Sequence, residues 1–143
     1  MLYIILILNL FSSFFLCGLI WMVQLVHYPM FYHLDKTNFS SHIAFHGFRI
    51  SFIVIPLMIT ELVTSFALVY LSAQYFYFHF SGLMAVIIIW LTTFMVQVPL
   101  HKSLSQKRNK YMIRKLIRSN SIRTTLWSVK SLLGAVILYQ VLT

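Results

Sequence analysis

Three histidines and two arginines recur in this chain at matched distances. From His27 it is 19 residues to His46 and 22 to Arg49; from His101 it is 19 to Asn120 and 22 to Arg123. The segments that open each set are alike, VQLVH at residues 23–27 and VQVPLH at residues 96–101, and each closes a long apolar run. An imidazole, then an imidazole or amide, then a guanidinium, coming back twice, is a set that ligates metals, moves protons and holds anions. Neutral imidazoles beside one carboxylate suit iron, copper or zinc, so His27, His46 and His101 are the expected ligands, with Glu61 or Asn120 close by. A doubled histidine with a doubled arginine also suits haem b, its iron held by two imidazoles and its propionates faced by Arg49 and Arg123.

Those groups work together only if helices bring them to one level. At helical spacing Trp90, Phe94, Gln97 and His101 share a stripe, and Gln24 and His27 are three apart. His42 and His46 are four apart with Arg49 three further on, and Arg123, Trp127 and Lys130 share a face. Gln24 and Gln97 would then orient the histidines from behind. Glu61 is 12 residues beyond Arg49, about 18 Å deeper at helical rise. That depth is near the middle of a bilayer, where a carboxylate would relay or accept a proton. Lys130 has a stem long enough to turn toward it.

Composition requires the bilayer. Of 143 residues 60% are hydrophobic, 17% aromatic and only 9% charged, and the mean hydropathy is +0.86. This is the composition of one integral membrane domain over residues 1–143. Spans are expected at about 3–26, 48–71, 76–98 and 124–142, giving an all-α four-helix bundle. The doubled motif makes it two parallel helical hairpins related by a pseudo-twofold along the membrane normal. Residues 1–26 carry neither the leading basic residue nor the small-residue site of a cleaved signal, so they are expected to remain as a span.

The basic residues set the orientation. Eight fall within residues 100–123 without one acid, and none falls in the second connection, residues 72–75. The long connections therefore belong to the cytoplasmic side of a bacterial inner membrane, with both termini on the periplasmic or exterior side. Residues 29–47 and 103–119 alternate aromatic or aliphatic with polar residues, as amphipathic helices lying in the interface would. The net charge of +9 is then explained by anionic lipid headgroups, with no nucleic acid as partner. Lone Cys17 excludes an intrachain disulfide.

The strings VQLVHYP, FHGFRISFIVIPLMITEL, WLTTFMVQVPLHKSL and LIRSNSIRTTLW resemble a family of small bacterial four-span integral membrane proteins. HYP, QVPLH and NSIRTTLW are the most specific parts. More distantly the chain is similar to the anthrone oxygenase-like membrane proteins, in size, span number and an Asn and Arg element before the last helix. That second resemblance implies oxidation of a hydrophobic substrate at the membrane face. The leading expectation is thus a metal- or haem-dependent membrane oxidoreductase or oxygenase acting on a lipophilic molecule such as a quinone, polyketide or lipid. The alternative is a non-enzymatic accessory or lipid- and quinone-binding protein, alone, as a homo-oligomer or in a larger complex, whose Glu61 and Lys130 merely pair. No HExxH, CxxC, glycine-rich phosphate motif or Ser, His and Asp arrangement points elsewhere.

Overall fold

In the computed structural model, which describes residues 1–143, four long helices follow one another: α1 (Leu2–Met30), α2 (Phe39–Leu71), α3 (Phe76–Gln106) and α4 (Lys110–Leu142). All four are long and apolar enough to cross a membrane. The protein is an all-α four-helix bundle and an integral membrane protein. Large apolar side chains such as Ile7, Phe11, Phe52, Val63, Leu91 and Leu132 point outward, which lipid accepts and water would not.

The helices form a ring in sequence order. α1 packs on α2, α2 on α3, α3 on α4, and α4 closes back onto α1, leaving α1 diagonal to α3 and α2 diagonal to α4. Short connections at residues 72–75 and 107–109 force antiparallel neighbours. Asn109 caps α4, its Oδ1 accepting from Tyr111 N at 2.9 Å and Met112 N at 3.3 Å. One residue earlier, Arg108 donates from Nη2 to Tyr32 O at 2.6 Å and lies 5.6 Å over the Phe39 ring. The first and third connections are thereby pinned together at one end of the bundle, with the second connection and both termini at the other.

The amphipathic stretches expected in those connections are helical only in part, and their helical parts are joined to the spans, with turns at residues 31–38 and 107–109. Residues 39–47 are the opening turns of α2 and residues 110–119 those of α4. At 29 to 33 residues the helices are about 45–50 Å long, against about 30 Å of hydrocarbon. Their backbones satisfy themselves on either side of the boundary, so the helix continues where the side chains turn polar and stops only at the turns.

α1 and α3 each contain one widened, π-helical turn, at Val23–His27 and Thr93–Gln97. Both end two residues before a proline, Pro29 and Pro99. Proline has no N–H and its ring crowds the carbonyl four residues back, here Leu25 and Met95; one extra residue in the turn relieves that clash without breaking the helix. Each copy of the motif read from the sequence overlaps a widened turn, the whole of VQLVH in α1 and Val96 with Gln97 in α3. α2 touches α3 along Phe76–Thr92 and again along Val98–Gln106, but not along the π-helical turn between them.

The apolar core is in two parts. A large cluster, including Leu16, Ile20, Phe31, Phe39, Ile89 and Trp127, fills the connection end, and a small one of Leu6, Leu10, Leu68 and Ile137 fills the terminal end. Gly134 lets α4 approach α1 closely there, since a Cβ on it would stand 2.6 Å from Leu10 Cδ2.

Candidate functional site

Two polar assemblies occupy the bundle interior. The first separates the two apolar clusters. Glu61 of α2 is fully buried and meets Lys130 of α4 at 3.1 Å across the diagonal. Its Oε1 also accepts from Ser13 Oγ at 2.8 Å, and its Oε2 from Trp127 Nε1 at 3.0 Å. Lys130 Nζ donates to Asn9 Oδ1 at 3.1 Å and to Ser13 Oγ. The Asn9 amide donates onward to Thr64 Oγ1 at 2.8 Å and Ser65 Oγ at 2.9 Å. Each charge has its counter-charge, and the polar side chains around the pair have partners. The residue expected to relay a proton thus stands in a network with Lys130, Ser13 and Trp127, away from His27, His46 and His101, with His79 the histidine beside it.

The second assembly lies at the level of the two widened turns and bridges the other diagonal. The Tyr28 hydroxyl of α1 is 2.9 Å from His101 Nε2 and donates to Gln97 Oε1 of α3 at 3.3 Å. Gln97 Nε2 donates to Ser119 Oγ of α4 at 2.9 Å. Asn120 Nδ2 donates to Gln24 Oε1 at 2.8 Å, and Asn120 Oδ1 accepts from Arg123 Nη1 at 3.1 Å. The Arg123 guanidinium lies 5.1 Å over the Trp127 ring, which joins this assembly to the first. Widening one turn of α1 and one of α3 sets the register in which Tyr28, Gln97 and His101 meet.

The three expected ligands do come together. His27 stacks on His46 with ring centroids 3.7 Å apart and planes at 29°, and His46 is 5.9 Å from His101. Phe31 presents its ring edge-on to all three, at 5.2, 5.9 and 6.4 Å. Stacked faces and a phenyl neighbour are a packed aromatic cluster; no three His, Cys, Asp or Glu side chains are arranged to hold a metal ion. The stacked pair likewise leaves no gap for a macrocycle between His27 and His46.

The remaining expected residues divide. Asn120 and Arg123 are buried in the second assembly, whereas Arg49, its counterpart by spacing, is exposed and rests over Phe45 at 5.8 Å. Gln97 supports His101 through Tyr28 rather than directly. Gln24 bonds Asn120 and the Ile117 carbonyl, and no histidine. Sequence spacing gave no role to Tyr28, although its place between His27 and Pro29 was a signal, nor to Asn9 and Ser13, a polar pair four apart in an otherwise apolar run.

A cavity of about 380 Å³ reaches from the lipid-facing gap between α2 and α3 to this assembly. Phe48, Ile55, Phe94 and Val98 stand exposed at its mouth; Leu16, Ile20, Val54 and Met58 line its walls; Tyr28, His46, Gln97, His101 and Arg123 supply its polar side. Two polar atoms of this assembly are buried without any partner, His101 Nδ1 and Arg123 Nε, as is Nε2 of the neighbouring His27. Comparison of the chain with protein-family models, with curated proteins and with solved structures found no match.

Proposed function

We propose that this protein is a membrane-embedded binding module for a lipophilic small molecule that enters sideways from the bilayer between α2 and α3. The observation that carries this is the cavity itself: apolar at its lipid-facing mouth, of ordinary ligand-site size, and ending on convergent polar groups with unused hydrogen-bonding capacity. An opening made by the widened turn of α3 gives a bilayer-dissolved molecule a route that a water-soluble one has no reason to take. The basic connection end supports placing this site toward the cytoplasmic leaflet of a bacterial inner membrane, beside anionic headgroups.

Trp127 is a built-in reporter, since it lines the cavity. With Trp21 and Trp90 changed to phenylalanine, a brominated C12 alcohol should quench the remaining emission saturably, and Ser51→Phe at the cavity wall should abolish that quenching with helix content unchanged. Quenching that grows linearly with the probe, identical with and without the plug, would show simple partition into lipid.

The unpartnered nitrogens of His27 and His101 support a second reading, a metal- or haem-dependent oxidoreductase working on the same molecule. Stoichiometric iron, copper or zinc in purified protein, or a Soret band, would establish it. Protein that binds the probe free of both metal and haem removes it.

A further inference from the structure

We infer that the molecule taken up in this cavity carries an anionic head, a carboxylate or a phosphate, and that Arg123 is its counter-ion. This inference rests on the binding site proposed above and names its ligand class. Arg123 is 5% exposed on the inner wall of the cavity, beside the neutral polar groups of Tyr28, Gln97 and His101. The chain contains two acids in all, and neither serves it. Glu61 is engaged by Lys130, Ser13 and Trp127. Asp35 is exposed in the first connection.

A guanidinium has five N–H donors and keeps its charge, so burying one without a counter-charge is unfavourable by several kcal/mol. The protein compensates only in part. It supplies neutral groups alone, Asn120 Oδ1 at 3.1 Å, the face of Trp127 and the Tyr28 hydroxyl beside the guanidinium; Nε has no hydrogen-bond partner. Lys130, the other buried cation, shows what this chain does when a cation is structural: it provides a carboxylate at 3.1 Å. At Arg123 the missing charge has to come from outside, and the cavity that Arg123 lines gives it a route. A single anionic head on an apolar tail satisfies both ends of that route, the head at Arg123 and the tail along Ile20, Val54 and Met58. A planar carboxylate or a phosphate oxygen pair matches the guanidinium fork, whereas a neutral hydroxyl or ketone leaves the charge unpaired.

Three probes with one tail separate head from tail: dodecanoate, monododecyl phosphate and dodecanol, each measured by displacement of the brominated alcohol from the Trp127 reporter protein in nanodiscs. Dodecanoate or monododecyl phosphate should compete about tenfold or more better than dodecanol, and Arg123→Gln should erase that difference, read as the ratio of the two affinities within the variant. Arg123→Lys, which keeps the charge but loses the fork, should retain part of it. The better of the two anions identifies the source, a free carboxylic acid or a phosphate headgroup. Equal competition by all three, with saturable binding intact, overturns the anionic head and leaves the lipophilic site standing; failure of all three removes both. Circular dichroism of each variant confirms that the bundle is folded.

Discussion

The two buried cations of this bundle are seven residues apart on one helix, and the protein treats them in opposite ways. Lys130 sits inside a closed set of donors and acceptors drawn from α1, α2 and α4, its carboxylate partner across the diagonal. Arg123 faces a cavity with neutral neighbours only, the Asn120 amide, the Tyr28 hydroxyl and an aromatic face. Trp127 separates them, its N–H given to Glu61 and its ring given to Arg123. A satisfied buried ion pair fixes helix register and needs nothing further. An unsatisfied one beside an open route from lipid is a site that a ligand completes.

If that contrast is right, mutating the two ends should give opposite signs. Glu61→Gln strands Lys130 in the bundle interior, so the largest loss is expected there, about 3–5 kcal/mol by reversible unfolding in detergent or lipid. The double variant Glu61→Gln with Lys130→Met should recover most of it, because it removes the isolated charge. A double variant no better than the single one would show that the pair is more than a register device. Tyr28→Phe comes next. It removes the hydroxyl shared by His101 Nε2 and Gln97 Oε1, leaving both buried groups short of a partner, and should lower stability by about 1–2 kcal/mol. Arg123→Met should instead be neutral or stabilising by up to about 1 kcal/mol in ligand-free protein, while removing preference for an anionic probe. A large loss of stability on that substitution would make Arg123 a structural residue like Lys130 and erase the contrast.

How far this was legible in the sequence depends on the kind of information involved. Span number followed from hydropathy, because only a self-satisfied helix crosses lipid. That Glu61 and Lys130 lie at compatible depth followed from helical rise. Which of the paired arginines turns inward did not: Arg49 and Arg123 hold the same place in the repeat, yet one is exposed and the other buried. The rotation of α2 and α4 about their own axes decides that, and packing rather than residue spacing sets it. On α3 the extra residue in the widened turn adds a rotation that spacing rules built on 3.6 residues omit. The same omission placed Phe94 on the inner stripe with Gln97, whereas Phe94 is exposed at the cavity mouth and Gln97 is buried. A proline two residues past each widened turn was the legible trace of both distortions.

The smallest expected effect tests that trace. Pro99→Ala restores an N–H and removes the ring that crowds the Met95 carbonyl, so the turn at Thr93–Gln97 is free to return to ordinary α geometry. Stability should change by less than about 1 kcal/mol, since alanine is a good helix former and the gained hydrogen bond offsets lost packing. Ordinary geometry in that turn would rotate Gln97 away from Tyr28 and carry α3 back toward α2, closing the gap through which the cavity meets lipid. Probe binding at the Trp127 reporter should therefore weaken severalfold and slow, with the ion-pair layer unaffected, because Asn9, Glu61 and Lys130 are not on α3. Binding unchanged in both rate and affinity would mean that the widened turn merely accommodates its proline, and that the opening between α2 and α3 is set by side-chain packing alone.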